Sequence, residues 1–389
     1  MSGWHLITGE YPPQAGGVSD YTQLVAAGLA AAGDEVHVWC PPATNGTTSA
    51  AVETSAASSV RVHRELGRFR LADLRRVGRM LDEFDGSRRL LVQWVPHGYG
   101  YRSMNLPFCL WLWQRAMRRG DAVELMVHEP YLSFTGSWKQ SGAAVVHRLM
   151  TLVLLNAARR VWMTIPAWEA YWRPYALGRA LPFQWLPVAS NIAVVPDAAG
   201  VGAIRQRYTP AGEHVVGHFG TYDRHSTEAL LRSVPALLQG CAACVLLLLG
   251  RGGEALRDEL TRRQPELARR IHATGTLAAD TLSLHIAACD VILQPYIDGV
   301  SSRRTSVMVC LAHGRPVVTT RGPLTETFWA DTDAVTLAPA GDDAALVETT
   351  RSLLADDARR HHMSAAAEKL YAERFDVQRI VAALREATV

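Results

Sequence analysis

Short apolar runs alternate with helix-like patterns along the whole chain, and this alternation limits the possible folds more than any other feature. Between the runs Trp4–Thr8 and Val36–Cys40, apolar Val25 and Leu29 recur at helical spacing until Gly33 ends the pattern. Repeated strand–helix–strand units form a parallel sheet covered by helices, so the sequence predicts an α/β fold. The remaining strands are expected at Val60–His63, Leu90–Gln93, Val123–His128, Arg160–Ile165, Val215–Phe219, Val245–Leu249, Ile271–Thr274, Val291–Gln294 and Pro316–Thr320.

The length of 389 residues exceeds one ordinary hydrophobic core and favours two domains. A Gly- and Ala-rich stretch at 189–212, punctuated by prolines, is typical of a linker. We therefore expect an N-terminal domain at 1–195, a C-terminal domain at 196–370, and a final helix at 371–389 that packs back towards the N-terminal domain. Two such units in series predict two Rossmann-like domains that face each other across a cleft, with the ligand at the carboxyl ends of their strands.

Charge and cysteine content exclude several classes of function. A net charge of +3 is too small to indicate a nucleic-acid partner. The single CxxC pair, Cys241 and Cys244, has no second Cys/His pair at zinc-site spacing, so we expect structural cysteines and no metal site. No signal peptide is expected, and the scattered cysteines fit a reducing cytoplasm.

An excess of arginine in the first half leaves two interpretations open. It is concentrated at 61–89 and again at Arg115, Arg118 and Arg119, which fits a solvated helix face or a surface that meets an anionic acceptor or phospholipid headgroups. The nearby apolar segment Leu106–Trp113 is too short to span a membrane. We expect it in a core or a domain interface, with a face that dips into a membrane as the alternative.

The first strand is followed by a loop that suits a polar ligand. The loop contains Tyr11 and then Gly16 and Gly17 immediately before a helix. Glycine lets the backbone approach a ligand closely, and unpaired amides at a helix start attract a phosphate or a sugar hydroxyl. The spacing matches neither a GxGxxG motif nor a Walker A loop, and a plain turn is the alternative.

Three successive strands of the second domain end in glycine, at Gly220, Gly250 and Gly275. Because parallel strands end at the same edge of a sheet, these glycines predict a ligand-binding rim. The residues that we expect to contact the ligand there are Gly220, Thr221, Arg224, Gly250, Thr276 and Leu277.

The segment after the strand Val291–Pro295 is the strongest candidate for an anion site. Two adjacent arginines at a helix start oppose the helix dipole, which prefers anions there, and their position makes sense if a bound phosphate sits between them. Hydroxyl side chains around them can add donors or caps, and a capped helix with solvated arginines is the alternative. The candidate residues are Asp298, Gly299, Ser301, Ser302, Arg303, Arg304, Thr305 and Ser306.

Two stretches at opposite ends of the chain carry a family resemblance, YPPQAGGVSDYTQLVAAGLAAAGDEVHVWCP at 11–41 and GTLAADTLSLHIAACDVILQPYIDGVSSRRTSVMVCLAHGRPVVTT at 275–320. With them the whole chain resembles the retaining nucleotide-sugar glycosyltransferases of glycosyltransferase family 4. The resemblance implies a GT-B fold, a donor held mainly by the C-terminal domain, no required metal or cofactor, and transfer with retention at the anomeric carbon.

The chain departs from the family's pattern of two glutamates eight positions apart. Asp298 stands near the first glutamate, which faces the donor sugar in the family. The residue eight positions after Asp298 is Ser306, which is one candidate for the second, ribose-binding position. If the position is instead counted back from Gly314 at the end of the motif, the candidate is Val309. The family's Arg and Lys after the first strand of this domain are also absent, with Arg224 nearby. We therefore expect the adjacent arginines Arg303 and Arg304 to neutralise the diphosphate, with UDP or GDP as the expected nucleotide.

In the first domain the resemblance assigns His128 to the donor sugar, because the family places a histidine at a comparable strand end. Glu129 is expected to orient that histidine or to accept a proton from the acceptor, and His97 to line the acceptor pocket or belong to a lid. We thus predict His128, Asp298, Arg303 and Arg304 as the catalytic residues, and Tyr11, His97 and Glu129 as acceptor residues.

The predicted function is transfer of a hexose from a nucleotide-diphosphate sugar to a glycan, a lipid-linked sugar or a small natural product. The predicted location is the cytoplasm, with a weak peripheral membrane contact through the N-terminal domain as an option. Two alternatives remain: a catalytically silent binding or scaffold subunit of the same fold, and a nucleotide-sugar epimerase.

Overall fold

The computed structural model describes residues 3–43, 53–54, 59–86, 88–134 and 138–386. The chain forms two compact units. Unit 1 comprises Met1–Pro187 together with Val377–Val389, and unit 2 comprises Val188–Asp376. Among the described residues, no helix is both long enough and apolar enough to cross a membrane.

Unit 1 is built on an eight-stranded sheet in which every pair is parallel except the short edge pair β3–β4. The strand order is β3-β4-β2-β1-β5-β6-β7-β8, so the chain moves first to one side of β1 and then to the other. The strands are β1 Trp4–Ile7, β2 Val36–Trp39, β3 Glu53–Thr54, β4 Val60–His63, β5 Arg89–Trp94, β6 Ala122–Val127, β7 Ala158–Met163 and β8 Phe183–Trp185. The helices are α1 Gly17–Ala31, α2 Leu71–Asp82, α3 Leu106–Arg119, α4 Trp138–Ala157 and α5 Trp168–Trp172.

Unit 2 has a six-stranded, fully parallel sheet in the order β11-β10-β9-β12-β13-β14. Its strands are β9 His214–Phe219, β10 Cys244–Leu249, β11 Ile271–Ala273, β12 Val291–Gln294, β13 Val317–Arg321 and β14 Val335–Pro339. Its helices are α6 Ala198–Tyr208, α7 Arg224–Gly240, α8 Gly253–Arg263, α9 Ala279–Ala287, α10 Thr305–Ala312, α11 Asp343–Leu354 and α12 Asp357–Arg374. The central strands are buried throughout, because helices cover both faces of a parallel sheet.

The last helix, α13, spans Val377–Glu386 and belongs to unit 1. It packs on α1, where Gly28 leaves room for the side chain of Val381. Arg385 of α13 also forms an ion pair with Asp34, which follows α1, at 3.0 Å.

The predicted α/β architecture with two parallel-sheet domains is confirmed, and each predicted strand lies within two residues of its expected bounds. Three strands escaped prediction, namely β3, β8 and β14, which all lie at sheet edges. The stretch 189–212 is not a plain linker, because it contains α6. Asp197 caps this helix by accepting from the Gly200 amide, and Arg205 anchors it to Asp290.

Three further expectations need correction, on the cysteine pair, on the segment Leu106–Trp113 and on the arginine excess. Cys241 and Cys244 are joined by a disulfide, which the reducing surroundings expected from the sequence did not predict. The segment Leu106–Trp113 is only half buried: Phe108 and Leu112 point into the core, whereas Leu110 and Trp113 are exposed on the other side of α3.

Some of the excess arginines form buried ion pairs inside unit 1, where they are neither on a solvated helix face nor on a ligand-binding surface. Arg115 is buried and forms ion pairs with Asp121 at 2.5 Å and Asp82 at 2.6 Å. Arg89 is buried against Glu124 at 2.5 Å. These guanidinium groups are paired with carboxylates inside the unit and present no charge to a ligand.

Candidate active site

In the sheet of unit 2, the neighbouring strands β9 and β12 mark the point where the order of the strands along the chain reverses direction across the sheet. The chain builds β10 and β11 on one side of β9 and then crosses to begin β12 on the other side. The loops that leave such adjacent strands diverge and open a crevice, which is where ligands bind in doubly wound sheets. In unit 2 these loops begin at Gly220 and Pro295, and the Gln294 side chain donates to the Phe219 carbonyl at 2.8 Å between the two strand ends.

The three strand-end glycines meet at this edge. Gly250 has a φ of 109°, and a Cβ added to it would lie 2.5 Å from the Gly220 carbonyl oxygen, so only glycine fits. Gly250 also pairs with Gly275 in an isolated bridge. Thr221 and Thr276 are exposed next to these glycines, and Leu277 is half-buried. The structure therefore places the predicted rim residues side by side along one edge.

The start of α7 already carries a carboxylate. Asp223 caps the helix by accepting from the amides of His225 and Ser226 at 2.8 and 3.1 Å. Burial alone would raise the pKa of Asp223, but these hydrogen bonds and the charge of Arg304 together lower it. Arg224, which we expected at the donor, is exposed and forms an ion pair with Glu228 on its own helix at 2.8 Å.

Asp298, Arg303 and Arg304 form one charged cluster between β12 and α10. One carboxylate oxygen of Asp298 lies 2.5 Å from Nη2 of Arg303, and the other contacts Nη2 of Arg304. The three side chains are only 22–23% exposed. The cluster thus carries a net charge of about +1 rather than the +2 of a free arginine pair, and a ligand meets the carboxylate and the guanidinium groups together.

Arg304 also stacks on the ring of Tyr296, with 4.4 Å between the guanidinium carbon and the ring centroid. The Tyr296 hydroxyl lies 2.7 Å from the hydroxyl of Ser306 on the first turn of α10. Val309, the other position for a ribose contact, is fully buried on the same helix. Of the two counts made from the sequence, only the one that gives Ser306 leads to a polar side chain near the arginines.

Two polar groups of this segment are buried and have no hydrogen-bond partner among the described residues. They are the hydroxyl of Ser301 and the Nε–H of Arg304. Buried polar groups are nearly always paired in folded proteins, so these two donors at a strand end are suited to bind a ligand. Thr305 begins α10 and is half-buried, and Gly299 before the pair has its Cα packed against Gly322.

Glu326 is a functional candidate that sequence reasoning missed. Its carboxylate accepts from the Ser302 amide at 3.0 Å, from the Ser302 hydroxyl, and from the Trp329 indole at 2.9 Å. Burial raises the pKa of Glu326 above its ordinary value although these hydrogen bonds act to lower it. The residue lies 24 positions after Ser302, so no local pattern could have shown that it braces the loop.

The chain order of unit 1 changes direction in the same way, between β1 and β5. The loops that follow these strands touch, since a Cβ on Gly9 would lie 2.2 Å from the Gly98 carbonyl oxygen. In the first loop Tyr11 is buried, and Gly16 and Gly17 open α1 as expected. The loop that the sequence indicated for a polar ligand therefore leaves β1 at this edge of the sheet.

The start of α1 is nevertheless not a free anion site. The carboxylate of Glu10 accepts from the amides of Val18 and Ser19 at 3.1 and 3.0 Å. Glu10 thus occupies part of the positive end of the helix dipole and opposes a second negative charge there. The amides that it binds are not those of Gly16 and Gly17. These two positions therefore fit a hydroxyl better than a phosphate.

His128 follows β6 and is buried, with its Nε2 2.8 Å from the amide oxygen of Gln93 on β5. The ring of Tyr21 from α1 meets it edge-on, with centroids 4.9 Å apart. Burial lowers the pKa of His128 to about 4, so the imidazole is neutral at pH 7. In this orientation Nε2–H donates to Gln93, and Nδ1 carries the lone pair.

His97 and Glu129 lie together at the same edge of unit 1. Nδ1 of His97 is 3.3 Å from a carboxylate oxygen of Glu129, and both side chains are exposed. The hydrogen bond to Glu129 raises the pKa of His97. Two of the three residues assigned to the acceptor from sequence therefore form one accessible acid–base pair.

Comparison with known proteins agrees with these observations. Residues 213–356 match the sequence model of the family described as glycosyl transferases group 1. Over 265 residues the chain is 25% identical to a phosphatidyl-myo-inositol mannosyltransferase of Mycobacterium leprae, which covers 64% of this chain and 69% of that protein.

Two solved structures share the fold of the whole chain. Sucrose-phosphate synthase from Thermosynechococcus elongatus superposes with a TM-score of 0.76 at 19% identity, covering 100% of this chain and 98% of that one. HepE of Anabaena, solved in complex with UDP and glucose, superposes with a TM-score of 0.67 at 17% identity, covering 100% and 99%. The rim glycines and the Asp298 cluster all lie within the matched residues 213–356. The chain is therefore a glycosyltransferase of the GT-B fold, and its unit 2 contains a group 1 glycosyl transferase domain.

Proposed function

We propose that this glycosyltransferase moves a hexose from a nucleotide-diphosphate sugar to an acceptor hydroxyl, with retention of the anomeric configuration and without a metal ion. The observation that carries the proposal is the cluster of Asp298, Arg303 and Arg304 at the edge of unit 2 where the chain order changes direction. The glycine rim lies beside this cluster, and its glycines let a nucleotide approach the backbone closely.

In the proposed reaction the bond between the sugar C1 and the diphosphate oxygen breaks, and its electron pair leaves with the diphosphate. The acceptor oxygen forms the new bond on the same face of the sugar, and its proton passes to the departing diphosphate. Negative charge grows on the diphosphate while positive charge grows on the sugar ring. Arg303 and Arg304 stabilise the first charge and the carboxylate of Asp298 the second.

The proposed independence from metal follows from the same cluster. Fixed guanidinium groups neutralise phosphate oxygens without the reorganisation that water would need. The buried Nε–H of Arg304 and the buried hydroxyl of Ser301 are two donors that a phosphate would satisfy. The proposed nucleotide is UDP or GDP, and the complex of HepE with UDP supports the first.

The proposed acceptor residues are those at the corresponding edge of unit 1. His97 and Glu129 form the exposed acid–base pair, and the neutral His128 offers Nδ1 to a sugar hydroxyl. The acceptor class remains a glycan, a lipid-linked sugar or a small molecule. The name of the mannosyltransferase relative adds support for a lipid acceptor.

A thermal-shift screen against UDP, GDP, ADP and dTDP sugars tests the donor assignment. A ligand at about 100 times its dissociation constant stabilises the protein that binds it by about 2.7 kcal/mol. We expect one UDP- or GDP-sugar to raise the melting temperature with and without EDTA. Stabilisation by none of them, or only with divalent metal, would contradict the proposal.

With the donor identified, NMR of the anomeric proton tests retention, and the same sample separates the alternatives. A transferase releases sugar slowly by hydrolysis when no acceptor is present. An epimerase instead converts the donor to an isomeric nucleotide sugar, and a silent binding subunit changes nothing.

A further inference from the structure

The outer faces of α3 and α4 expose large apolar side chains. On α3, Leu110, Trp113 and Met117 follow each other at helical spacing and are 47%, 39% and 56% exposed. Spacings of three and four residues place them on one side of the helix, opposite the buried side that begins with Phe108. A helix with only one buried side should be polar on the other, and α3 is not.

The neighbouring helix shows the same pattern. On α4, Trp138, Val145 and Leu149 are 80%, 49% and 47% exposed, and they lie at positions i, i+7 and i+11. The two helices pack against each other within unit 1. We call the six residues Leu110, Trp113, Met117, Trp138, Val145 and Leu149 the α3–α4 face.

Exposed apolar groups are concentrated in this part of the chain. Nine of the fourteen large hydrophobic side chains that are exposed among the described residues lie between Tyr101 and Leu149. Scattered exposed leucines are normal on a soluble protein, but a concentration on two adjacent helices indicates a binding surface.

The charged side chains on these two helices are all basic. Neither α3 nor α4 contains an aspartate or a glutamate. Their cationic residues outside the core include Arg118 and Lys139, and Arg148 lies over the rings of Tyr131 and Phe134 at 4.4 and 3.9 Å. Two helices that expose apolar residues with tryptophan, and whose own charged side chains are all basic, have the composition of interfacial membrane-binding helices.

We infer that the α3–α4 face binds an anionic phospholipid surface. The tryptophans and leucines insert at the level of the headgroups while Arg118 and Lys139 meet the lipid phosphates. A second copy of the chain fits less well, because a symmetric contact through this face would bring cationic residues against cationic residues without an acidic partner. This inference concerns unit 1 alone and does not depend on the donor site proposed in unit 2.

Flotation of the full-length protein with phospholipid vesicles tests the inference. One set of vesicles is pure phosphatidylcholine and the other contains about one third phosphatidylglycerol. We expect binding to the anionic set that weakens with salt, since attraction of basic residues to the surface is screened. No binding to anionic vesicles, or equal binding to both sets, would overturn the inference.

Two double variants divide the apolar and the electrostatic contributions. Arg118→Gln with Lys139→Gln should weaken binding to anionic vesicles by about fivefold per charge, or about 25-fold together. Leu110→Gln with Trp113→Gln should weaken it by at least about tenfold, because several apolar groups no longer leave water. All four positions are exposed, so circular dichroism and melting temperature should stay unchanged.

Exposed residues of unit 2 provide the matched controls. Val194→Gln removes an apolar group that is 51% exposed, and Lys369→Gln removes an exposed positive charge. Both should bind vesicles as the unmodified protein does. If the controls weaken binding as much as the test variants, the α3–α4 face is not the binding surface. If light scattering shows a dimer that Leu110→Gln with Trp113→Gln dissociates, the face binds a second copy instead.

Discussion

The charged cluster at the donor edge makes an unusual prediction for Asp298→Asn: tighter nucleotide binding together with slower transfer. In the free protein the carboxylate holds both guanidinium groups, so a diphosphate must compete with it. The three side chains are 22–23% exposed, and ion pairs near the surface contribute up to about 1 kcal/mol each. Removing the carboxylate charge from two such pairs should therefore gain about 1–2 kcal/mol, or about 5- to 30-fold in affinity for UDP or GDP.

Turnover should change in the opposite direction. If Asp298 stabilises the positive charge that develops on the sugar, its neutral amide replacement lacks that electrostatic contribution. One preorganised group of this kind is typically worth about 100- to 1000-fold in kcat. Isothermal titration with the nucleoside diphosphate and steady-state kinetics with the donor measure the two effects separately.

A matched control is Glu259→Gln, which removes a carboxylate that also pairs with two arginines, Arg262 at 2.7 Å and Arg263 at 2.6 Å, on α8. It should change neither affinity nor turnover. Nucleotide binding that weakens tenfold or more in Asp298→Asn would show that Asp298 itself contacts the nucleotide. Unchanged turnover would show that it does not act on the sugar.

Three further predictions concern the surroundings of this cluster. Arg303→Ala and Arg304→Ala should each lower kcat about 100- to 1000-fold with normal circular dichroism, and unchanged kinetics in both would refute the diphosphate assignment. Glu326→Ala should raise the donor KM and lower the stability of unit 2 by about 1–3 kcal/mol, because it leaves the Ser302 amide without this acceptor. In the same assays Glu326→Gln should keep most of the donor affinity and most of the stability, because its amide oxygen still accepts. Burial lowers the pKa of His218 to about 4, so its contribution is complete above the unfolded pKa of about 6.5 and is lost as the pH falls towards 4. Other buried histidines such as His128 add to the same loss, so in urea unfolding the loss of stability between pH 7 and pH 5 should be about 2 kcal/mol smaller in His218→Gln than in the unmodified protein; an equal loss in both would rule out a contribution from His218.

The sequence predicted the fold well wherever a local pattern determines the structure. Buried strands such as β10 are continuous apolar runs, because helices cover both faces of the sheet, and such runs are visible without coordinates. The edge strands β8 and β14 escaped because only part of each is buried, so their composition is mixed. The helix α6 escaped for a similar reason, since none of its residues is fully buried and glycine and alanine dominate it.

The candidate site was predictable in position but not in its pairings. The glycines at three strand ends and the two arginines gave the edge of unit 2, since parallel topology brings strand ends together. The ion pairs of Asp298 with both arginines were missed because the arginines were assumed to face a ligand. Glu10 and Glu326 were missed because nothing in a loop sequence shows which amides a carboxylate will reach. Such contacts depend on tertiary structure and leave no periodic signal.

The ribose contact is the point where the family resemblance and this structure differ most. In the family a glutamate stands at this position, whereas the two possible positions here are Ser306 and Val309. The Ser306 hydroxyl is half-buried and hydrogen-bonded to Tyr296, whose ring supports Arg304. A hydroxyl in this place can bind a ribose hydroxyl and keep the bond to Tyr296, because it both donates and accepts.

Comparison of the preferred nucleotide with its 2′-deoxy form tests this contact. Ser306→Ala should reduce the preference for the ribonucleotide by about 1 kcal/mol, or about fivefold, the usual value of one neutral hydrogen bond. An unchanged preference would place the ribose elsewhere. Val309→Glu, which copies the family residue at the other position, should not create a ribose contact. Val309 is fully buried, so a carboxylate there would lack a partner and unit 2 would lose several kcal/mol of stability before any nucleotide could bind.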